Sequence, residues 1–162
     1  MGSQSVIAIK TKKQRKEFVR HLLNDIEAFE YMLQHQMFET GIQRVGVEQE
    51  LCLVDKDFRP STTALEILEK MDDKHYTTEL ALFNLEINLD PFELTHTCFS
   101  DLEKQLIALL EKGSNVAEQV QNTKLILAGI LPTLKKKDLV FKNVTPFKRY
   151  KTLNSILKKI RG

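Results

Sequence analysis

Tryptophan is absent from this 162-residue chain, and cysteine, proline, glycine and long apolar runs are all scarce. Two cysteines, Cys52 and Cys98, are too few and too far apart in sequence for a disulfide framework. A reducing cytoplasm is therefore the expected compartment. No run approaches the length of a membrane span, and the N-terminus lacks the apolar core of a signal peptide, so no membrane partner is expected. The glycines do not fall into a P-loop or dinucleotide-binding fingerprint. Any nucleotide would have to be held by metal and basic side chains. The four histidines, His21, His35, His75 and His96, neither cluster nor stand at a telling spacing from an acid. Each is expected at the surface or in the core.

A hydrophobic fraction of 42% is enough for one globular domain with its own core. The formal net charge is only +2, but the charge is unevenly spread. Lys10–Arg20 is basic, the middle leans acidic, and residues 135–161 hold ten Lys or Arg against the single acid Asp138. That tail lacks interleaved aromatics, zinc-ligand spacing and any nucleic-acid module, so nucleic acid is not the expected partner. A solvated helix face explains it, and so does an anionic nucleotide lying beside an acidic site.

The acidic site is sought at Gly46-Val47-Glu48-Gln49-Glu50-Leu51-Cys52-Leu53-Val54-Asp55. A strand has a period of two, which puts Glu48, Glu50 and Cys52 on one face. Two adjacent half-buried carboxylates repel and lose hydration, so the arrangement calls for a cation. Gly46 before the pair would permit close backbone approach. Phe83-Asn84-Leu85-Glu86-Ile87-Asn88-Leu89 repeats the design, with Asn84, Glu86 and Asn88 opposite an apolar back. Magnesium takes oxygen ligands in near-octahedral geometry and keeps water and phosphate in its shell, which such strands could supply. Glu79 either reaches the same pocket or lies on the surface. Asn84 and Asn88 either orient a carboxylate or bind substrate, unless they are ordinary turn residues. Cys52 has no evident base and is expected to be a small buried side chain.

Around these strands, residues 1–9 read as a loose tail and 10–40 as a helix, opened by a Thr11/Gln14 capping box and stopped by Gly41. Residues 44–134 hold the core strands and helices. Within them Thr63/Glu66 and Ser100/Glu103 read as capping boxes, Gly113 as an interruption, and Leu125–Leu131 as a central strand. Residues 135–162 form a basic loop and a last helix. The alternation predicts a single α+β domain, an antiparallel sheet flanked by helices.

Taken together, the motifs resemble the glutamate–cysteine ligase type 2, or carboxylate–amine ligase, family. Gly46–Leu51 resembles its G-x-E-x-E strand, and Glu79 with Phe83–Asn88 its second acidic segment. Gly129-Ile130-Leu131-Pro132-Thr133 resembles its strand-to-loop stretch. Asn143–Pro146, Arg149-Tyr150 and Leu153-Asn154 are similar to the segment next along that family's chain. The resemblance implies part of a glutamine-synthetase-like fold and an ATP- and magnesium-dependent ligase. Such an enzyme phosphorylates a carboxylate such as that of glutamate and lets an amine displace the phosphate, as in glutathione biosynthesis. It implies Glu48, Glu50 and Glu86 as catalytic metal ligands, with Glu79 a fourth. Asn84, Asn88 and Arg149 would contact substrate or ATP. The family's domain is longer, so the chain is expected to be its N-terminal portion. A C-terminal segment or a second copy would then be its partner. The competing expectation is a non-catalytic remnant that dimerises or binds a protein through its sheet edge.

Overall fold

The computed structural model describes residues 6, 7 and 9–161, so most of the tail expected at residues 1–9 lies outside the described residues. It is α+β with antiparallel sheets, as expected. The chain, expected to form one domain, gathers into two compact units: Met1–Ile42 with Phe147–Gly162, and Gln43–Pro146. No helix among the described residues is long and apolar enough to cross a membrane.

The unit spanning Gln43–Pro146 is built on a four-stranded sheet in the order β3-β4-β2-β6: Tyr76–Thr78, Asn84–Asn88, Glu48–Val54 and Lys124–Ile126. A two-stranded ribbon of β1 (Arg44–Val45) and β5 (Phe92–Glu93) lies beside it in sequence, with Arg44 and Glu93 paired at 3.7 Å. Alternation sorts β2 and β4 into two faces. The back face sends Leu51, Leu53, Leu85 and Ile87, all fully buried, against Ile67 and Met71 of α2 (Ala64–Met71) and Leu102, Leu109 and Ala117 of α3 (Cys98–Glu118). Truncating any one of these large side chains to alanine would cost about 2–5 kcal/mol.

Both inner helices correct the sequence reading. Helix α2 has the expected limits, yet Thr63 makes no side-chain cap. Its hydroxyl is instead buried in a cluster with Ser61 and Thr123, at 3.2 and 3.1 Å. Helix α3 starts at Cys98 rather than Ser100, and Thr97, not Ser100, occupies its N-cap. Gly113 does not interrupt it. It is buried, and a Cβ there would stand 2.8 Å from the Tyr76 hydroxyl and 2.9 Å from Leu125. The glycine lets α3 close onto the sheet, where the Tyr76 hydroxyl donates to the Leu109 carbonyl. Burial pushes the Tyr76 phenol up to about 12.

The expected central strand at Leu125–Leu131 shrinks to a three-residue edge strand, β6, whose last pairing is Ile126 with Cys52. Beyond it the chain leaves the sheet and folds over the front face. Leu127 and Ile130 are therefore exposed, while Leu131 is buried.

In the other unit, α1 covers Lys12–Gln34 and keeps the expected capping box of Thr11 and Gln14. It ends before Gly41, because His35 closes it and Gln36 takes a left-handed φ of 52°. Its expected apolar stripe of Phe18, Leu22, Ile26, Phe29 and Leu33 is present, but no residue of the helix is buried. The last helix, α4, runs from Lys148 to Arg161.

Candidate metal and phosphate face

The front of the sheet carries the oxygen-rich side chains. The β2/β4 register sets Glu48 opposite Asn88, Glu50 opposite Glu86, and Cys52 opposite Asn84. Thr77 of β3 stands opposite Glu86 on the other side, a neighbour the sequence pattern did not single out. Glu79, just past β3, lies close enough for its charge to act on Glu86, and its carboxylate accepts the Leu80 N–H at 2.7 Å. The Asn88 amide donates to Glu86 at 2.7 Å. All four glutamates expected at the site thus belong to one end of one face.

Their electrostatics are unbalanced. None of the ion pairs among the described residues involves Glu48, Glu50, Glu79 or Glu86. Burial raises the pKa of Glu86. The hydrogen bond from Asn88 opposes the rise, and the charges of Glu48 and Glu79 reinforce it. Like charges crowded together with no cation between them favour the neutral form of the most buried carboxyl. The donor chemistry suits a hard divalent ion. The side chains do not yet converge: among the described residues, no three His, Cys, Asp or Glu side chains are gathered so as to hold a metal ion.

The other end of the same face is closed. Cys52 and Val54 are buried beneath Leu131, Ile126 and Leu134, and the Cys52 thiol faces the Ala128 carbonyl at 3.6 Å. Cys52 is the small buried side chain expected, its thiol pushed up by burial and by Glu50 against the opposing bond from Asn84. Asn84 donates to the Leu51 carbonyl at 3.2 Å and faces the Cys52 sulfur at 3.5 Å, so it is engaged with the strand rather than offered to a substrate. Arg59 fastens the covering loop by donating to the Thr133 carbonyl and pairing with Asp138 at 2.5 Å. The stretch after β6 is thus positioned by Arg59. Gly46 has open space where a Cβ would be, so close backbone approach does not explain it. Arg149 lies on α4 in the other unit, its guanidinium 5.0 Å from the centre of the Tyr150 ring.

A second acidic group, missed in the sequence, surrounds His75. Its Nδ1 is 2.7 Å from Asp73 and its Nε2 3.1 Å from Asp90. The expectation that no acid accompanies a histidine fails here, because Asp73-Lys74-His75 is a turn that folds back on itself. Asp90 arrives from the end of β4, fifteen residues on. Burial would raise Asp73, but bonds from Lys112 and His75 outweigh it and hold the carboxyl far below the usual range.

No family model, curated protein or solved structure matches the chain.

Proposed function

We propose that this chain forms the magnesium–nucleotide face of an ATP-dependent carboxylate–amine ligase, as the leading part of such a catalytic domain. The observation that supports this is the register that sets Glu50 against Glu86, with Glu48 and Glu79 beside them and no protein cation among them. Glu48, Glu50, Glu79 and Glu86 would hold the metal. Bound there, magnesium supplies charge neutralisation for phosphate oxygens during phosphoryl transfer.

The chain's own residues do the rest. Asn88 orients the Glu86 carboxylate by its amide bond. The loop held by Arg59 and Thr133 walls one end of the face, so that a ligand approaches from the Glu48 side. The exposed Glu48 and Glu50 side chains must be ordered on binding, which weakens affinity for the free ion relative to a metal–phosphate pair.

Calorimetry with Mg²⁺ and ATP tests this reading. It expects binding that needs both components and weakens at least tenfold in Glu48→Gln and Glu86→Gln. Equal heats in the variants and the parent protein would reject it.

A further inference from the structure

We propose that His75 is a pH-set clasp that fastens the edge strand β3 and helix α3 to the sheet as an imidazolium and lets go as a neutral ring. The geometry requires two N–H donors. Asp73 accepts at Nδ1 and Asp90 at Nε2, and only the protonated ring can donate at both nitrogens. A neutral imidazole has one N–H, so one carboxylate would face a lone pair. The ring and Asp73 are largely enclosed, their side chains 18% and 14% exposed, whereas that of Asp90 is 49% exposed.

The partners come from three separate parts of the chain. Asp73 and Lys74 come from the turn after α2, Asp90 from the end of β4, and Gln105 and Lys112 from α3. Asp73 binds the His75 backbone N–H at 3.0 Å and Lys112 at 2.5 Å. Asp90 accepts from Gln105 at 2.6 Å and pairs with Lys74 at 3.4 Å, while its own N–H donates to Gln105 at 3.1 Å. Lys74 and Lys112 are the cations that compete for the two acids, and both are well solvated. The Asp90 contact is longer and more exposed, so it is the one surrendered first.

The clasp matters because β3 has three residues and one neighbour, β4. The His75 carbonyl accepts the Asn88 N–H at 2.7 Å, just where β3 begins. Opening the clasp loosens that anchor and, through it, the segment that brings Thr77 and Glu79 to the front. The bonds to Asp90 and Asp73 raise the ring's pKa against the opposing effect of burial. Its stabilisation is therefore complete below the ordinary imidazole value of about 6.5 and is lost as pH rises through the higher folded value.

Nitrogen-detected NMR of the imidazoles, with amide protection factors for residues 76–78 followed from pH 5.5 to 9, tests the clasp. The expected result is a His75 ring still protonated at both nitrogens above the ordinary imidazole value of about 6.5. Protection of β3 should fall as His75 titrates. In His75→Gln, protection should be lower and flat with pH. A His75 midpoint at or below about 6.5 would overturn the proposal. So would β3 protection that ignores the titration. If His75→Gln does not fold, the parent protein's titration and protection profile still decide it.

Discussion

Two groups of carboxylates in the same unit are handled in opposite ways. Asp73 and Asp90 each meet a cation and several donors: Lys112 and His75 for the first, Lys74, His75 and Gln105 for the second. Both acids are held below the usual carboxylate range. Glu48, Glu50, Glu79 and Glu86 have no such cation, and burial leads the causes that raise Glu86. Proximity of acids is common to both groups. The counter-charge separates them: one group is held by cations and donors, and the other pairs with no cation among the described residues.

That contrast can be broken from the structural side first. Asp73→Asn should cost about 3 kcal/mol, because it leaves Lys112 and a mostly buried imidazole facing a neutral amide. Urea denaturation near pH 7 measures it. The same variant should flatten the acid limb of the stability profile. A carboxyl depressed in the fold contributes stability that is present above the unfolded pKa of about 4 and is lost as pH falls through the folded value.

A smaller effect is expected at the clamp over the closed end of the front face. Arg59→Ala should cost about 2 kcal/mol by removing two bonds of a charged group. Hydrogen exchange should speed up around residues 131–139, where the Leu134 and Asp138 amides are bonded within the loop, while the back-face core stays protected. The smallest effect belongs to the ligand-free acids. Glu86→Gln should be neutral or stabilising by up to about 1 kcal/mol at neutral pH, since it removes a like charge directly opposite Glu50. The opposite signs of Asp73→Asn and Glu86→Gln in one denaturation series are the sharpest form of the comparison. A loss from Glu86→Gln as large as that from Asp73→Asn would erase it.

The alternation of β2 and β4 made the acidic front legible in the sequence itself. Glu48, Glu50 and Glu86 face one way because a strand has no choice of period. Helix α2 was legible in the same way, although its cap was misread: the Thr63 hydroxyl is claimed by Ser61 and Thr123, which are distant or invisible as partners in a local pattern. The long strand at Leu125–Leu131 was misread because an apolar run does not say whether it pairs in a sheet or folds over one. Here it does each in turn, pairing to Ile126 and then covering Cys52 and Val54 with Leu131. The His75 cluster was hidden for a topological reason. Asp73 and His75 are neighbours in sequence, but Asp90 reaches the ring, and Lys112 reaches Asp73, only after β4 and α3 have packed. Gly113 likewise looked like a helix breaker until Tyr76 came to lie against it.

The central claim is that the uncompensated glutamates are a divalent-cation face, and a magnesium titration with proton counting tests it most directly. Titrating Mg²⁺ into the protein by calorimetry, in buffers of different ionisation enthalpy, reads metal uptake and proton release together. Backbone NMR locates the residues that respond. The account predicts saturable binding with an affinity on the order of millimolar. Near the Glu86 midpoint it predicts release of a proton from Glu86, with shifts centred on residues 48–50 and 77–88. Shifts that never saturate, an absence of proton release, or an unchanged response in Glu48→Gln/Glu86→Gln would contradict it.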